Sequence, residues 1–292
     1  MDTITHTLFG LSLYGAFKSE KETKRYNRAL LVSTIGASQI PDIDIVSRFW
    51  DTEGLYQMWH RGITHSVFLT PLWALTFFFL MWIFFRIKDK RLFYLSWLAV
   101  FIHDTSDLFN AWGTGYLEPF SKTRITFGTI PIVDFVFWII MLGAFIMAKR
   151  STLPSQKIYR VAWLVMGLHV IIQSAYGFYI YNQYEGNYKE VALSAGFVPF
   201  NFTVIGKSEE IVDIIDTSII GKDQIVYHLK SSEQANLDLL FEKRPEARTL
   251  YEWAPFVVIV DDENYLGLYD PRFYRKGQSF LFEYIEKGEL EQ

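Results

Sequence analysis

Residues 67–85 form nineteen consecutive positions without a charged side chain, enough apolar chain to cross a hydrocarbon core about 30 Å thick. A run of that length makes a bilayer the first expectation. The composition agrees, at 50% hydrophobic, 18% aromatic and only 21% charged residues. Segment 161–181 is also free of charge, and 130–148 carries only Asp134. Segment 92–112 stays apolar until His103 and then meets Asp104 and Asp107; at the front, 3–17 is short and 29–46 ends in Asp42 and Asp44. These segments predict a mainly α, polytopic membrane helix bundle of about six spans. The shorter helices would be shielded by neighbours, because a polar group in hydrocarbon needs a partner. No basic stretch precedes 3–17, which reads as a retained helix and not as a signal peptide.

Lys and Arg in the connections set the expected orientation, since short cytoplasmic loops collect positive charge. Alternate connections hold thirteen of them (Lys18, Lys21, Lys24, Arg25, Arg28; Arg86, Lys88, Lys90, Arg91; Lys149, Arg150, Lys157, Arg160) against four (Arg48, Arg61, Lys122, Arg124). The first set is placed in the cytoplasm, which makes this a multi-pass cell-membrane protein with both termini outside. Residues 1–181 form the expected transmembrane domain. Residues 182–292 carry 11 Lys+Arg against 20 Asp+Glu, and short strand-like runs separated by turns read as a small, mostly β (α+β) extracytoplasmic domain. The expected strands are 197–205, 211–220, 224–230, 255–260, 265–269 and 279–285, with a helix near 232–243. An acidic tail and no long basic block argue against nucleic-acid binding.

With no cysteine in the chain, His, Asp and Glu are the strong metal ligands available. Five of six histidines (His6, His60, His65, His103, His169) lie in the apolar half, where each ionisable residue is a functional candidate by default. In the expected topology His6, Asp42, Asp44, His60, His65, Asp107 and Asp134 converge on the outer third of the bilayer. His103 and Asp107 are i and i+4, on one helix face. Imidazoles with carboxylates suit zinc first and manganese second, and such an ion polarises a phosphoryl or carbonyl oxygen. The first-choice ligands are His6, Asp42, His65, His103 and Asp107. Asp44 and His60 are further ligands, orienting partners or the general base; Asp134 is a further ligand at the same face. Arg61 or Arg124 would hold an anionic group of the substrate. Asp104 reads as a solvated or capping neighbour, His169 as a structural interhelical hydrogen bond, and His228 as a surface residue.

Four strings together resemble a known signature: Met1-Asp2-Thr3-Ile4-Thr5-His6, Pro41-Asp42-Ile43-Asp44, His60-Arg61-Gly62-Ile63-Thr64-His65-Ser66 and His103 to Asp107. The match continues through Glu118-Pro119-Phe120-Ser121 to Asp134. It is the signature of the YdjM/YfhP-like family of bacterial membrane-bound proteins described as metal-dependent hydrolases. That family is similar, distantly, to zinc-dependent phospholipase C and P1 nuclease, which implies phosphoester cleavage. The second His-x-x-x-Glu pair of those enzymes has only His169-x-x-x-Gln173 as a counterpart here. The expected function is thus a membrane-bound metal-dependent hydrolase of an ester or phosphoester, acting on a membrane lipid, a lipid-linked substrate or an envelope precursor. The alternative is a non-catalytic membrane regulator or assembly protein, with a structural metal and a protein partner on the C-terminal domain. A transporter fits less well, because the polar residues gather at one face.

Overall fold

A computed structural model describes residues 1–289. In chain order the helices of the first two thirds are α1 (Thr3–Phe17), α2 (Lys24–Ala37), α3 (Tyr56–Trp59), α4 (Thr70–Phe85), α5 (Lys90–Asp107), α6 (Phe135–Arg150) and α7 (Ser155–Glu185). Tight 3₁₀ segments at Ile40–Phe49 and Ile63–His65 interrupt them. The chain divides into two compact units, Met1–Asp44 with Arg61–Ser174, and Ile45–His60 with Ala175–Gln292. The boundary expected at residue 181 falls inside α7.

Side chains that satisfy otherwise orphaned N–H groups start the helices of the first unit. Asp2 accepts from Ile4 N and Thr5 N at 2.9 and 3.1 Å, Asp89 from Arg91 N at 2.9 Å, and Asp134 from Val136 N at 2.7 Å. Pro71 sits in the first turn of α4, where its missing N–H costs nothing. Leu13, Phe77 and Val100 join α1, α4 and α5 in one buried cluster, and Phe9, Phe137 and Met166 join α1, α6 and α7 in another. A buried Ser33–Ser96 hydrogen bond of 2.5 Å ties α2 to α5. Gly10 lets the backbones of α1 and α2 touch: a Cβ there would lie 2.7 Å from Ile35 Cα and 2.8 Å from Thr34 O.

Six spans are not what the structure contains. Among the described residues one helix, α7, is long and apolar enough to cross a membrane, rising to three candidates when two bent pairs, Lys24–Ala37 with Ile40–Phe49 and Tyr56–His65 with Thr70–Phe85, each count as one span. Helices α1, α4 and α6 have 15, 16 and 16 residues, which at 1.5 Å per residue reach about 22–24 Å, short of a core of about 30 Å. The uncharged runs overcounted because they include approach segments that are not helical. Residues 67–69 precede α4, and 130–134 precede α6. Segment 29–46 breaks by 53°, and α5 carries Lys90, Arg91, Asp104 and Asp107.

In the second unit the strands β1 (Glu190–Ala195), β2 (Asn201–Ser208), β3 (Ile211–Ser218) and β4 (Gln224–Lys230) form one antiparallel sheet in sequence order. Helices α8 (Asp238–Lys243) and α9 (Pro245–Trp253) follow. Strand β6 (Tyr265–Tyr269) pairs antiparallel with β5 (Val258–Asp261) on one side and β9 (Phe282–Glu286) on the other, and β7 (Tyr274–Arg275) pairs with β8 (Gln278–Ser279). Ile205, Val212, Phe256 and Val258 pack the two larger sheets together. The C-terminal β domain is therefore present, with β1, α9 and β7 in addition to the expected elements. β4 and β6 match their expected bounds, and the expected 232–243 helix is confined to α8.

The Gly10 contact sets a stability test. Gly10→Val places methyl groups against immovable backbone, and overpacking of this kind costs about 1–3 kcal/mol. The melting midpoint in detergent should fall by several degrees, whereas Gly143→Ala, with no atom within 4 Å of the added carbon, should leave it level or slightly higher. An unchanged midpoint for Gly10→Val would remove the α1–α2 backbone contact from the account.

Candidate metal centre

Three segments of the first unit deliver four polar side chains to one buried point. The end of α5 supplies His103 and Asp107, one turn apart; the 3₁₀ segment after α2 supplies Asp42; the Ile63–His65 turn supplies His65. One donor atom from each of Asp42, His65, His103 and Asp107 falls within 4.8 Å of all the others. His65 and His103 present Nε2 to each other at 3.2 Å. Asp42 Oδ1 lies 3.3 and 3.6 Å from these nitrogens, and Asp107 Oδ2 lies 3.6 and 3.8 Å from them. A tetrahedral ion with ligand bonds of about 2.0–2.1 Å separates its ligands by about 3.3–3.4 Å. The five distances involving the two imidazoles therefore lie within about half an ångström of that spacing.

Protonation supports the match. His103 Nδ1 donates to Ser38 O at 2.7 Å, and His65 Nδ1 meets Thr64 Oγ1 at 3.1 Å, whose hydroxyl donates to Asp44 Oδ2 at 3.1 Å. With Nδ1 serving as donor on both rings, both Nε2 atoms carry lone pairs, the tautomer that binds a metal. Two facing lone pairs and two carboxylates in a buried space repel one another, and a divalent cation turns that repulsion into attraction. The residues fit a zinc- or manganese-like ion; the donor set does not choose between them.

Arg61 supplies the protein's own counter-charge. It is 4% exposed and holds a positive φ of 57°, so its amide reaches Asp44 Oδ2 at 2.8 Å. Its Nε lies 3.3 Å from Asp107 Oδ2, while Nη1 and Nη2 donate to Asn110 Oδ1 at 2.9 Å and Met1 O at 3.1 Å. The Met1 amino group also approaches Asp107. His6 stacks on His103 with ring centroids 3.6 Å apart, and its Nε2 is 3.4 Å from the other Asp107 oxygen, Oδ1. Among the described residues neither His6 nitrogen has a hydrogen-bond partner.

Two of the remaining expected site residues, Asp134 and Arg124, are engaged by other partners. Asp134 caps α6 and takes His169 Nε2 at 2.8 Å, and among the described residues it is not in the ligand group. His60 ends α3 and stacks on Tyr56 at 5.3 Å. Arg124 donates to Gly113 O at 3.0 Å beside the Thr114–Ile125 bridge. Asp104 is fully buried instead of solvated, and neither of its oxygens has a hydrogen-bond partner among the described residues. His228 is mostly exposed yet paired, its Nδ1 2.5 Å from Asp213 Oδ1. Tyr188 donates to the other Asp213 oxygen at 2.9 Å; burial first, and this bond second, push the Tyr188 hydroxyl up to about 12. Sequence reasoning did not find Ser38 O, Thr64 or Asn110 as supports. Thr64 was visible inside the His60–Ser66 string, but a main-chain carbonyl leaves no trace in side-chain identity.

The profile of the family described as YdjM inner membrane protein matches residues 1–183, well over half of the chain. A Bacillus subtilis (strain 168) protein described as the uncharacterized protein YfhP is 29% identical over 175 residues, covering 59% of this chain and 53% of its own length. The chain thus spans about half the length of that curated relative. No solved structure matches. The matched stretch holds α1 to α6, most of α7 and every ligand of the buried group. The chain belongs to the YdjM inner membrane protein family.

Proposed function

We propose that this protein is a membrane-bound, metal-dependent hydrolase of an ester or phosphoester. The observation that carries the reading is the tetrahedral set of Asp42, His65, His103 and Asp107 in which one member, Asp42, is partly exposed, its side chain 23% accessible, while the other three are buried. A bound divalent ion supplies Lewis acidity toward a phosphoryl or carbonyl oxygen. With Oδ1 as the ligand atom, the second carboxylate oxygen of the partly exposed Asp42 would receive the proton of the attacking water. Asp44 acts through Thr64 to hold His65 in its ligating tautomer, and Ser38 O does the same for His103. Arg61, committed to Asp107 and Asn110, fixes a ligand instead of holding substrate.

A lipid or lipid-linked substrate is supported by a cavity of about 380 Å³ in the same unit. Phe9, Ile102, Trp163 and Val170 make its walls apolar, and Met1, which also lines it, approaches Asp107. A hydrocarbon chain seated there brings its polar head to the ligand group. For orientation, Lys149, Arg150, Lys157 and Arg160 flank the N-terminal end of α7, and acids outnumber bases beyond its C-terminal end. By the positive-inside rule the second unit's β domain faces outward. The second reading, a structural metal in a non-catalytic membrane regulator, has its own support: four protein ligands around one ion is the closed pattern of structural sites.

Metal analysis of the detergent-purified protein, paired with a screen of phosphodiesters and phospholipids, separates the two. Bound metal with turnover is expected; bound metal without turnover across the screen favours the structural reading. Asp107→Ala should release the metal, and Asp134→Ala should retain it. Asp42→Asn should lower turnover by about 10² to 10⁴, the usual share of a general base. Asp44→Asn should lose about 10- to 100-fold in metal affinity or activity, as orienting partners do. Full activity in Asp42→Asn would show that Asp42 is not the base.

The lipid arm has a separate test at Gly167, which lines the cavity and where an added carbon meets no atom within 4 Å. Gly167→Leu should raise KM for long-chain substrates at least several-fold and leave short-chain turnover and metal content unchanged. Equal KM values for both chain lengths would dismiss this cavity as the chain site. A reporter fused after residue 292 should be active only outside the cytoplasm; cytoplasmic activity would reverse the orientation.

A further inference from the structure

The second unit contains a cavity of about 540 Å³, within the range typical of small-ligand sites, that the hydrolase reading does not use. Two backbone irregularities frame it. On one side the β3–β4 register slips between Ile214 and Ile215, so that Val226 is skipped and the strand bends. On the other, the β7–β8 hairpin turns through Lys276 and Gly277, with φ of 53° and 83°. That turn favours Asn-Gly, and a lysine seldom occupies it. Both features place side chains on the cavity wall, Val226 and Tyr227 from the bulge and Arg275 and Lys276 from the hairpin.

Charge separates this cavity from its surroundings. Residues 182–292 carry 20 Asp+Glu against 11 Lys+Arg, yet the lining holds Lys222, Arg272, Arg275 and Lys276 against the single carboxylate of Asp216. Arg272 is neutralised by Asp270, 2.6 Å away, and buried over the Trp253 ring. Lys222, Arg275 and Lys276 are exposed, and among the described residues none of them makes an ion pair. Asp216 accepts from Thr203 at 2.9 Å. Asp223, next to Lys222, accepts from Tyr184 at 2.7 Å and does not line the cavity. Three uncommitted cations from two separate segments therefore face one concavity inside an acidic domain, where their fields add. One carboxylate has too few oxygens to engage all three, whereas a phosphoryl group or diphosphate presents three or more. Tyr227 and Tyr274, edge to face at 5.0 Å, provide apolar wall beside them.

We propose that this cavity binds a phosphate-bearing ligand, with Lys222, Arg275 and Lys276 on its phosphoryl oxygens and its remaining moiety against Tyr227 and Tyr274. The site is independent of the metal centre and of the hydrolase reading.

Isothermal titration of the full chain in detergent with inorganic pyrophosphate tests it, with chelator present so that no bound metal contributes. Saturable 1:1 binding is expected, weakening steeply between low and high salt. Combined Lys222→Ala, Arg275→Ala and Lys276→Ala should weaken it at least tenfold. Asp216→Asn, which removes the one carboxylate, should tighten it about threefold, a gain that misfolding does not produce. Asp107→Asn, at the metal centre, should leave it unchanged. Absence of saturable binding, binding that survives the triple substitution, or binding lost in Asp107→Asn overturns the proposal. Competition then identifies the source. Displacement by phosphatidylglycerol in the micelles but not by glycerol phosphate points to a lipid headgroup, displacement by glycerol phosphate points to a soluble ester, and displacement by neither overturns the phosphate-ester assignment.

Discussion

The first unit depends on one arrangement, two imidazole Nε2 atoms 3.2 Å apart with a carboxylate oxygen on either side. Without a cation these groups repel, and burial removes the water that would screen them. Their positions are nevertheless over-determined. Ser38 O fixes one ring, the Thr64–Asp44 relay fixes the other, and Arg61 braces Asp107. Much of the surrounding backbone is irregular for the same reason. A continuous helix through 37–49 would carry Asp42 and Ser38 on a fixed pitch, whereas the 53° bend lets Ser38 O reach His103 while Asp42 turns toward both rings. The Gly10 contact draws α1 against α2, and His6, one turn earlier, stacks on His103.

The second unit is organised by different physics. Its core is formed by sheet faces, with Ile205, Val212 and Val258 fully buried, and its ion pairs lie largely at the surface, where each contributes at most about 1 kcal/mol. Charge there shapes the field more than the fold. The excess of acid over the whole domain makes a cationic cavity more selective, because anions are repelled everywhere except at that mouth.

Much of the site was legible because it is written in side chains. His103 and Asp107 declare a shared helix face by spacing alone, and the His60–Ser66 string and the Pro41–Asp44 string each contain a member of the candidate ligand group. Asp134 shows the limit of that reading. It has the right chemistry at the right sequence position, but it is taken by a helix cap and His169. Asp104 misled in the opposite direction, since polarity beside His103 suggested solvent and the structure buries it completely. The span count failed for a physical reason: uncharged composition does not distinguish helix from the apolar coil that leads into it, as at 67–69 and 130–134. Strand bounds such as those of β4 and β6 were readable because alternation and flanking turns both mark them.

What decides between a closed and an open metal centre is the unequal burial of its four ligands. His65, His103 and Asp107 are sealed and braced, so their geometry survives without help from solvent. Asp42 faces partly outward and follows Pro41, where the backbone has left the helical pitch. A structural site gains from burying all four ligands, because exposure of one carboxylate weakens its hold on the ion through competition with water. A site with three protected ligands and one accessible carboxylate keeps the ion while leaving a flank on which an incoming oxygen and a proton acceptor meet. That asymmetry, more than the identity of the ligands, is what supports the proposed hydrolase over a purely structural centre.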